Sequence, residues 1–287
     1  MASLKRELER SVPELRERYL EREMSVPVGL LEALEADARN GARELARRIR
    51  ERRTKNRAEG QRLRNLLKFE QELWASGHEF VAGCDEAGMA PLAGPVIAAA
   101  VILPRNYKLR GLDDSKKIVD EERREELRRM IEQDALAWGV GRAEVEEIDT
   151  LNIYHAGLLA MSRAVAALSK QKVPTFVLVD ARKIPNCEVP QRGIIHGDAL
   201  SATIAAASII AKTTRDRLMN EIEKEYPGYD FCENKGYPTP FHCKKLKELG
   251  ATPWHRRSFN RVREVLGLDP VQLDAFPEAA DEGDELR

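Results

Sequence analysis

What this sequence lacks narrows it first. No apolar run approaches the roughly 20 residues of a membrane span, and the opening Met-Ala-Ser-Leu-Lys-Arg-Glu has no apolar signal core. A soluble, cytoplasmic chain with no membrane partner is therefore expected. Cysteine is scarce: Cys84, Cys187, Cys232 and Cys243 form no closely spaced pair and read as reduced thiols. The five histidines are scattered without His-Glu-x-x-His spacing, which argues against a zinc hydrolase. A net charge of −1 over 287 residues gives no hint of a polyanionic partner, although a total can hide opposed blocks. There is no internal repeat.

What is present is a globular composition, 43% hydrophobic and 33% charged, the latter above the average of about a quarter. Residues 1–75 are charged, rich in Leu, Ala, Arg and Glu, and nearly free of strand signals. Leu30, Leu31, Leu34 and Ala36 predict a short amphipathic helix ending near Asn40-Gly41. Residues 42–57 and 63–74 predict two more, the last with Leu66, Leu67, Phe69 and Leu73 as a docking face. The basic stretch from Arg43 to Lys68 reads either as a solvated helix surface or as an auxiliary contact to nucleic-acid phosphates.

From residue 76 to 266 the pattern is α/β. The apolar runs 96–103, 135–140 and 175–179 predict strands, and 120–131 and 152–167 predict helices. His196-Gly197-Asp198 is expected to open one long, central helix whose alanines allow close approach to a sheet. Lys212, Arg215 and Arg217 are expected to mark its emergence into water. Residues 267–287 are acidic and expected to be disordered.

Four carboxylates stand at the ends of these elements. Asp85 and Glu86 follow the apolar Phe80-Val81-Ala82, and a shared site is expected only if the strand ends there, because strand neighbours point to opposite faces. Asp180 ends a buried strand and Asp198 opens the central helix. Read singly, Asp180 could begin a turn and Asp198 could be an N-cap. Together they can converge on one sheet edge, where four anions repel unless cations sit among them. Hard oxygen ligands favour Mg²⁺ or Mn²⁺ over zinc.

The motifs Asp85-Glu86-Ala87-Gly88, Pro91-Leu92-Ala93-Gly94-Pro95 and Asp113-Asp114-Ser115-Lys116-Lys117 then complete a resemblance. So do the run from Asp198 to Lys212, Tyr226-Pro227-Gly228-Tyr229, Lys235-Gly236-Tyr237 and His255-Arg256-Arg257-Ser258-Phe259. In that order they resemble ribonuclease HII, the prokaryotic type 2 ribonuclease H, over residues 79 to 260.

The resemblance implies a ribonuclease H-like three-layer fold, a mixed central sheet between helices, with the N-terminal helices as an extension. It implies that Asp85, Glu86, Asp180 and Asp198 are the catalytic, metal-binding carboxylates. The substrate it implies is an RNA–DNA hybrid, or a DNA duplex containing ribonucleotides cut on their 5′ side. The products are a 3′-hydroxyl and a 5′-phosphate, and the chain acts as a monomer. Two divalent ions roughly 4 Å apart suffice for such hydrolysis without a nucleophilic side chain.

Tyr237 matches the family tyrosine that packs on the sugar at the junction, which fits the need to sense a 2′-hydroxyl. Ser115, Lys116, Lys212, Arg256 and Arg257 are candidate phosphate contacts. The family's Gly-Arg-Gly junction reader is Gly88-Met89-Ala90 here. That change motivates a rival reading as a hybrid-binding protein with little cleavage; another nuclease on the same scaffold is a second.

Overall fold

The computed structural model describes residues 2–271, so most of the expected acidic tail lies outside the described residues. The chain divides into two compact units, Met1–Arg64 and Asn65–Arg287.

The first unit is helical: α1 (Ala2–Leu8), α2 (Val12–Arg16) followed by a π-helical turn, α3 (Leu30–Glu35) and most of α4 (Asn40–Leu66). Its core is Leu15, Tyr19, Leu30, Leu31, Leu34, Leu45, Ala46 and Ile49. Buried Tyr19 donates its hydroxyl to Glu7 at 2.9 Å, so its polar end is satisfied. Two expectations change here. Asn40-Gly41 begins a helix rather than ending one, and α4 runs unbroken through residues 58–62. The surrounding Arg, Glu and Gln are good helix formers and absorb the roughly 1 kcal/mol cost of Gly60.

The second unit holds α5 (Lys68–Ala75), β1 (Val81–Ala87), β2 (Val96–Ile102), α6 (Glu121–Asp134), β3 (Ala137–Ala143), α7 (Val145–Leu151), α8 (Ile153–Ser169), β4 (Phe176–Asp180) and β5 (Gln191–Ile194). Then follow α9 (Gly197–Leu200), α10 (Ala202–Glu225), α11 (Phe231–Asn234), α12 (Pro240–Leu249) and α13 (Asn260–Val265). The sheet order is β3-β2-β1-β4-β5. β1, β2 and β3 pair antiparallel, while β4 and β5 run parallel to β1. This is the mixed sheet expected.

Helices α8 and α10 cover the two faces, and missing side chains set how closely they approach. A Cβ on Gly141 would fall 2.0 Å from the Ala160 carbonyl oxygen of α8, and one on Gly83 would fall 2.1 Å from the Thr203 backbone of α10. Between them β2 reads Val-Ile-Ala-Ala-Ala-Val-Ile, buried throughout, as a strand covered on both faces must be. On the outer side α5 lays Phe69, Leu73 and Trp74 against Val81, Leu178, Ile194 and Ile204. β5 and α7, absent from the sequence expectation, are short and carry few apolar residues.

β1 does end beside the acids, at Ala87, with Asp85 opposite Ala99 and Glu86 opposite Ala98, and the chain turns at Gly88. Two expectations about α10 are overturned. The long helix is two: Ser201, at φ −125, ends α9 and caps α10 by accepting from the Ile204 amide. Arg215 does not emerge into water; it is 1% exposed, because the loops before β2 and after α11 fold back over it.

Candidate active site

β1 and β4 set the site. Their parallel register pairs Cys84 with Val179, so Asp85 and Asp180 lie one step beyond it. Glu86, the next residue, stands close enough for its charge to raise the Asp85 carboxyl. At the end of β4 the chain turns through Ala181 at φ 51, and after β5 through His196 at φ 58. Non-glycine residues in this region concentrate at functional sites. The second turn aims the Gly197 amide at Asp180 Oδ1, 2.7 Å away, and so delivers Asp198, the next residue, to the same edge.

A cation stands beside Asp198. Lys116 Nζ lies 3.1 Å from Asp198 Oδ2 and also feels the charge of Asp85, while it stabilises the charged forms of Glu86 and Asp180. Lys116 thus touches Asp198 directly, and its charge acts on the other three acids only at a distance. Burial opposes its charge, but the Asp198 hydrogen bond and the surrounding carboxylates push its pKa up to about 12.

The acids themselves are crowded. Asp85 is 3% exposed; burial, then Glu86 and Asp180, push its carboxyl well above the usual range, against the Ser208 hydroxyl and the Glu86 amide at 2.7 Å. Burial also raises Glu86, against Arg182, whose guanidinium lies 3.3 Å from Glu86 Oε1. Asp180 is raised by burial and then by Asp198. Glu86 Oε2 is buried with no hydrogen-bond partner.

Among the described residues no three His, Cys, Asp or Glu side chains are already grouped as a metal shell; Lys116 and Arg182 take up Asp198 and Glu86 instead. The donor chemistry nevertheless fits hard divalent ions. All four donors are carboxylates, they repel one another, and Glu86 Oε2 lacks a partner.

The turn after the acids has its carbonyls facing inward. Gly88, at φ +98, is a conformation that favours glycine, and a Cβ there would strike Arg215 Nε at 2.2 Å. Ala90 does not have a positive φ, so its methyl brings no backbone strain. The Met89 side chain packs inward towards Gly157 of α8. Among the described residues the amides of Met89 and Ala90 have no acceptor, so both N–H groups are left for a ligand.

The remaining candidates divide. Tyr237 is 41% exposed while its backbone is held, its amide donating to Asn234 and its carbonyl accepting from His242 Nδ1 at 2.8 Å. Arg257 is exposed, with its amide fixed by Asp149. Lys212 is half-buried and paired with Asp216 at 2.6 Å; burial lowers its pKa against that pairing.

Two expected phosphate contacts are corrected. Ser115 is buried and shares a 2.8 Å hydrogen bond with Ser208, the residue that braces Asp85. Arg256 is wholly buried, and its guanidinium is taken up by backbone carbonyls of residues 88–95.

Sequence reasoning missed Arg182, Arg215 and Glu70. Arg182 stacks on Tyr154 with 5.2 Å to the ring centre while reaching Glu86. Glu70 of α5, fully buried, accepts from Ser201 Oγ at 2.6 Å and from the Thr203 amide and hydroxyl at 2.9 and 2.8 Å. It thereby braces the break that separates Asp198 from α10. A lone charged residue in an amphipathic helix carries no sequence signal of such a partner.

The Ribonuclease HII family profile matches residues 82–262, and the Ribonuclease HII N-terminal domain profile matches residues 12–74. The chain is 61% identical over 278 residues to a Ribonuclease HII of Myxococcus xanthus, covering 95% of this chain and 94% of that one. It is 60% identical to a Ribonuclease HII of an Anaeromyxobacter strain, covering 95% and 86%.

Among solved structures, the ribonuclease H2 of Pyrococcus horikoshii shares the fold at TM-score 0.54 and 24% identity, over 65% of this chain and 96% of that one. The RNase HII of Archaeoglobus fulgidus, solved in complex with PCNA, gives 0.53 at 25% identity, over 62% and 93%. The chain is a ribonuclease H hydrolase and belongs to the ribonuclease HII family.

Proposed function

We propose that this enzyme hydrolyses the RNA strand of RNA–DNA hybrids and incises DNA duplexes on the 5′ side of embedded ribonucleotides, leaving a 3′-hydroxyl and a 5′-phosphate. The observation that supports the proposal is that Asp85 and Asp180 stand one step beyond a paired register on adjacent strands, with Asp198 brought beside them by the Gly197 amide, 2.7 Å from Asp180, and Glu86 next to Asp85. Such a cluster has no stabilising role of its own and fits a site where cations gather.

Asp85, Glu86, Asp180 and Asp198 would hold two divalent cations, Mg²⁺ or Mn²⁺. When bound, these supply activation of the attacking water and stabilisation of the leaving oxygen. The residues of the chain prepare that chemistry. Ser208 and the Glu86 amide hold Asp85, the Gly197 amide orients Asp180, and Arg182 fixes Glu86. Lys116, its side chain 75% exposed, can swing from Asp198 to a phosphate oxygen of the bound strand.

The amides of Met89 and Ala90 present N–H donors to the backbone at the junction. The exposed ring of Tyr237 offers a flat apolar face to the sugar carrying the 2′-hydroxyl. Arg257 and Lys212 contact flanking phosphates. The protein acts as a monomer in the cytoplasm.

A cleavage assay on a hybrid and on a single-ribonucleotide duplex, with Mg²⁺ or Mn²⁺, tests this against Asp85→Asn and Asp180→Asn. Cutting confined to the wild type, 5′ of the ribonucleotide, is expected. Equal cutting by the variants, or none by the wild type with either ion, refutes it.

A further inference from the structure

Two arginines in the second unit are buried without a carboxylate partner. Arg215 of α10 donates Nε to Pro95 O at 3.2 Å, Nη1 to Lys235 O at 2.8 Å and Nη2 to Ala93 O at 2.9 Å. Arg256 donates Nε to Gly94 O at 2.9 Å, Nη1 to Pro91 O at 2.7 Å and Met89 O at 3.2 Å, and Nη2 to Gly88 O at 2.6 Å. Six carbonyls of the turn after the acids are thus tied to two planar forks, and one fork also grips the turn that leads to Tyr237.

The same segments are laced to each other. The Leu92 amide donates to Gly236 O and the Gly94 amide to Trp254 O, both at 2.8 Å, and the Arg256 amide donates to Leu92 O at 2.9 Å. His242 joins this body through Tyr237 O at 2.8 Å and through His255 at 3.1 Å.

Burying two guanidinium groups is expensive. Desolvation lowers Arg215 to about 10 and Arg256 well below its ordinary value. Well-packed apolar side chains would fill the same space at smaller cost. What they could not do is set the direction of six backbone carbonyls, which requires donors in a fixed geometry.

We propose that Arg215 and Arg256 are positioning residues that fuse the 88–95 turn and the Tyr237 turn into one preformed body, setting the spacing between the amides of Met89 and Ala90 and the ring of Tyr237. This rests on the reading of those two segments as substrate contacts. With six carbonyls of the turn held by the two guanidinium groups and Leu92 O by the Arg256 amide, the turn is fixed before the strand arrives. Preorganisation of this kind is needed to hold a reader and a sugar-sensing ring to within about 0.5 Å.

The test compares kcat/KM on a DNA duplex with one ribonucleotide against kcat/KM on a uniform RNA–DNA hybrid. The first requires the junction to be read at one place; the second offers many registers. Arg215→Met should lower the ratio of the two at least tenfold, with KM rising more than kcat falls. Arg215→Lys should fail to restore it, because one ammonium cannot replace three directed donors.

A merely structural role would lower both substrates in proportion along with Tm, and a ratio within twofold of wild type in a folded variant overturns the proposal. Native-state hydrogen exchange on the wild type needs no variant. The amides of Leu92, Gly94, Tyr237 and Arg256 should open together, and opening constants differing more than 100-fold overturn the single body. A wild type that cuts neither substrate would instead overturn the functional reading beneath it.

Discussion

Replacing Asp85 by Asn isolates the conflict between stability and function at this site. The substitution keeps the shape and keeps an oxygen to accept the Glu86 amide, now at 2.7 Å, while removing one charge from between Glu86 and Asp180. At an effective dielectric of about 20, each neighbouring like charge repels by a few kcal/mol. Lys116 offsets only part, because its side chain is 75% exposed and screened by water. The net gain in stability should be on the order of 1–3 kcal/mol. For a unit of this size each kcal/mol moves Tm by about 2–4 °C, so the variant should melt roughly 2–12 °C higher in EDTA at pH 7.5.

The sign with pH follows from burial and repulsion, which raise the carboxyl of Asp85 above its unfolded value. Its cost is therefore absent below the unfolded value near 3.9 and develops as pH rises towards the folded one, so the two proteins should converge at acid pH. Divalent metal reverses the order. At 100 times its Kd, Mg²⁺ adds about 2.7 kcal/mol to a protein that binds it only when folded, and should add much less to the variant. Thermal unfolding with and without Mg²⁺ reads both effects. A variant less stable than wild type in EDTA, or equally stabilised by Mg²⁺, would refute the crowded-carboxylate account.

Other outcomes follow from neighbouring features. Glu70→Gln puts a buried NH₂ where Oε2 now has no partner; it should cost about 1–3 kcal/mol in urea titrations and lower activity through the Asp198 turn. Burial, then the neighbouring His242, depresses His255 to about 3. This contribution is full above the unfolded value near 6.5 and is lost as pH falls, by at most about 1.4 kcal/mol per pH unit. Urea midpoints between pH 6.5 and 4.5 should show that loss in the wild type and not in His255→Asn. In the first unit Arg47 and Arg50 are paired with glutamates, whereas Arg53 and Arg57 have no partner among the described residues. Arg53→Ala with Arg57→Ala should weaken duplex binding several-fold and flatten the salt dependence by up to about 1.8 in log–log slope; an unchanged slope would make that face a solvated surface.

The sequence singled out candidate acids and roughly where they stand. Asp85, Glu86, Asp180 and Asp198 were legible because each stands where an apolar strand ends or a helix begins, and an acid in such a place needs a reason. The β2 run and the alanines of α10 likewise announced a sheet covered on both faces, since periodicity and small side chains are local properties of the chain. Tertiary structure alone decided which charges are spent inside. Arg215 and Arg256 read as surface cations, and Ser115 as a phosphate contact, until loops distant in sequence closed over them. Glu70 became a cap only when α5 met the start of α10, 131 residues away from Ser201. A side chain's hydrophobic or charged character is written in its own position. Its hydrogen-bond partners belong to segments that only folding brings together.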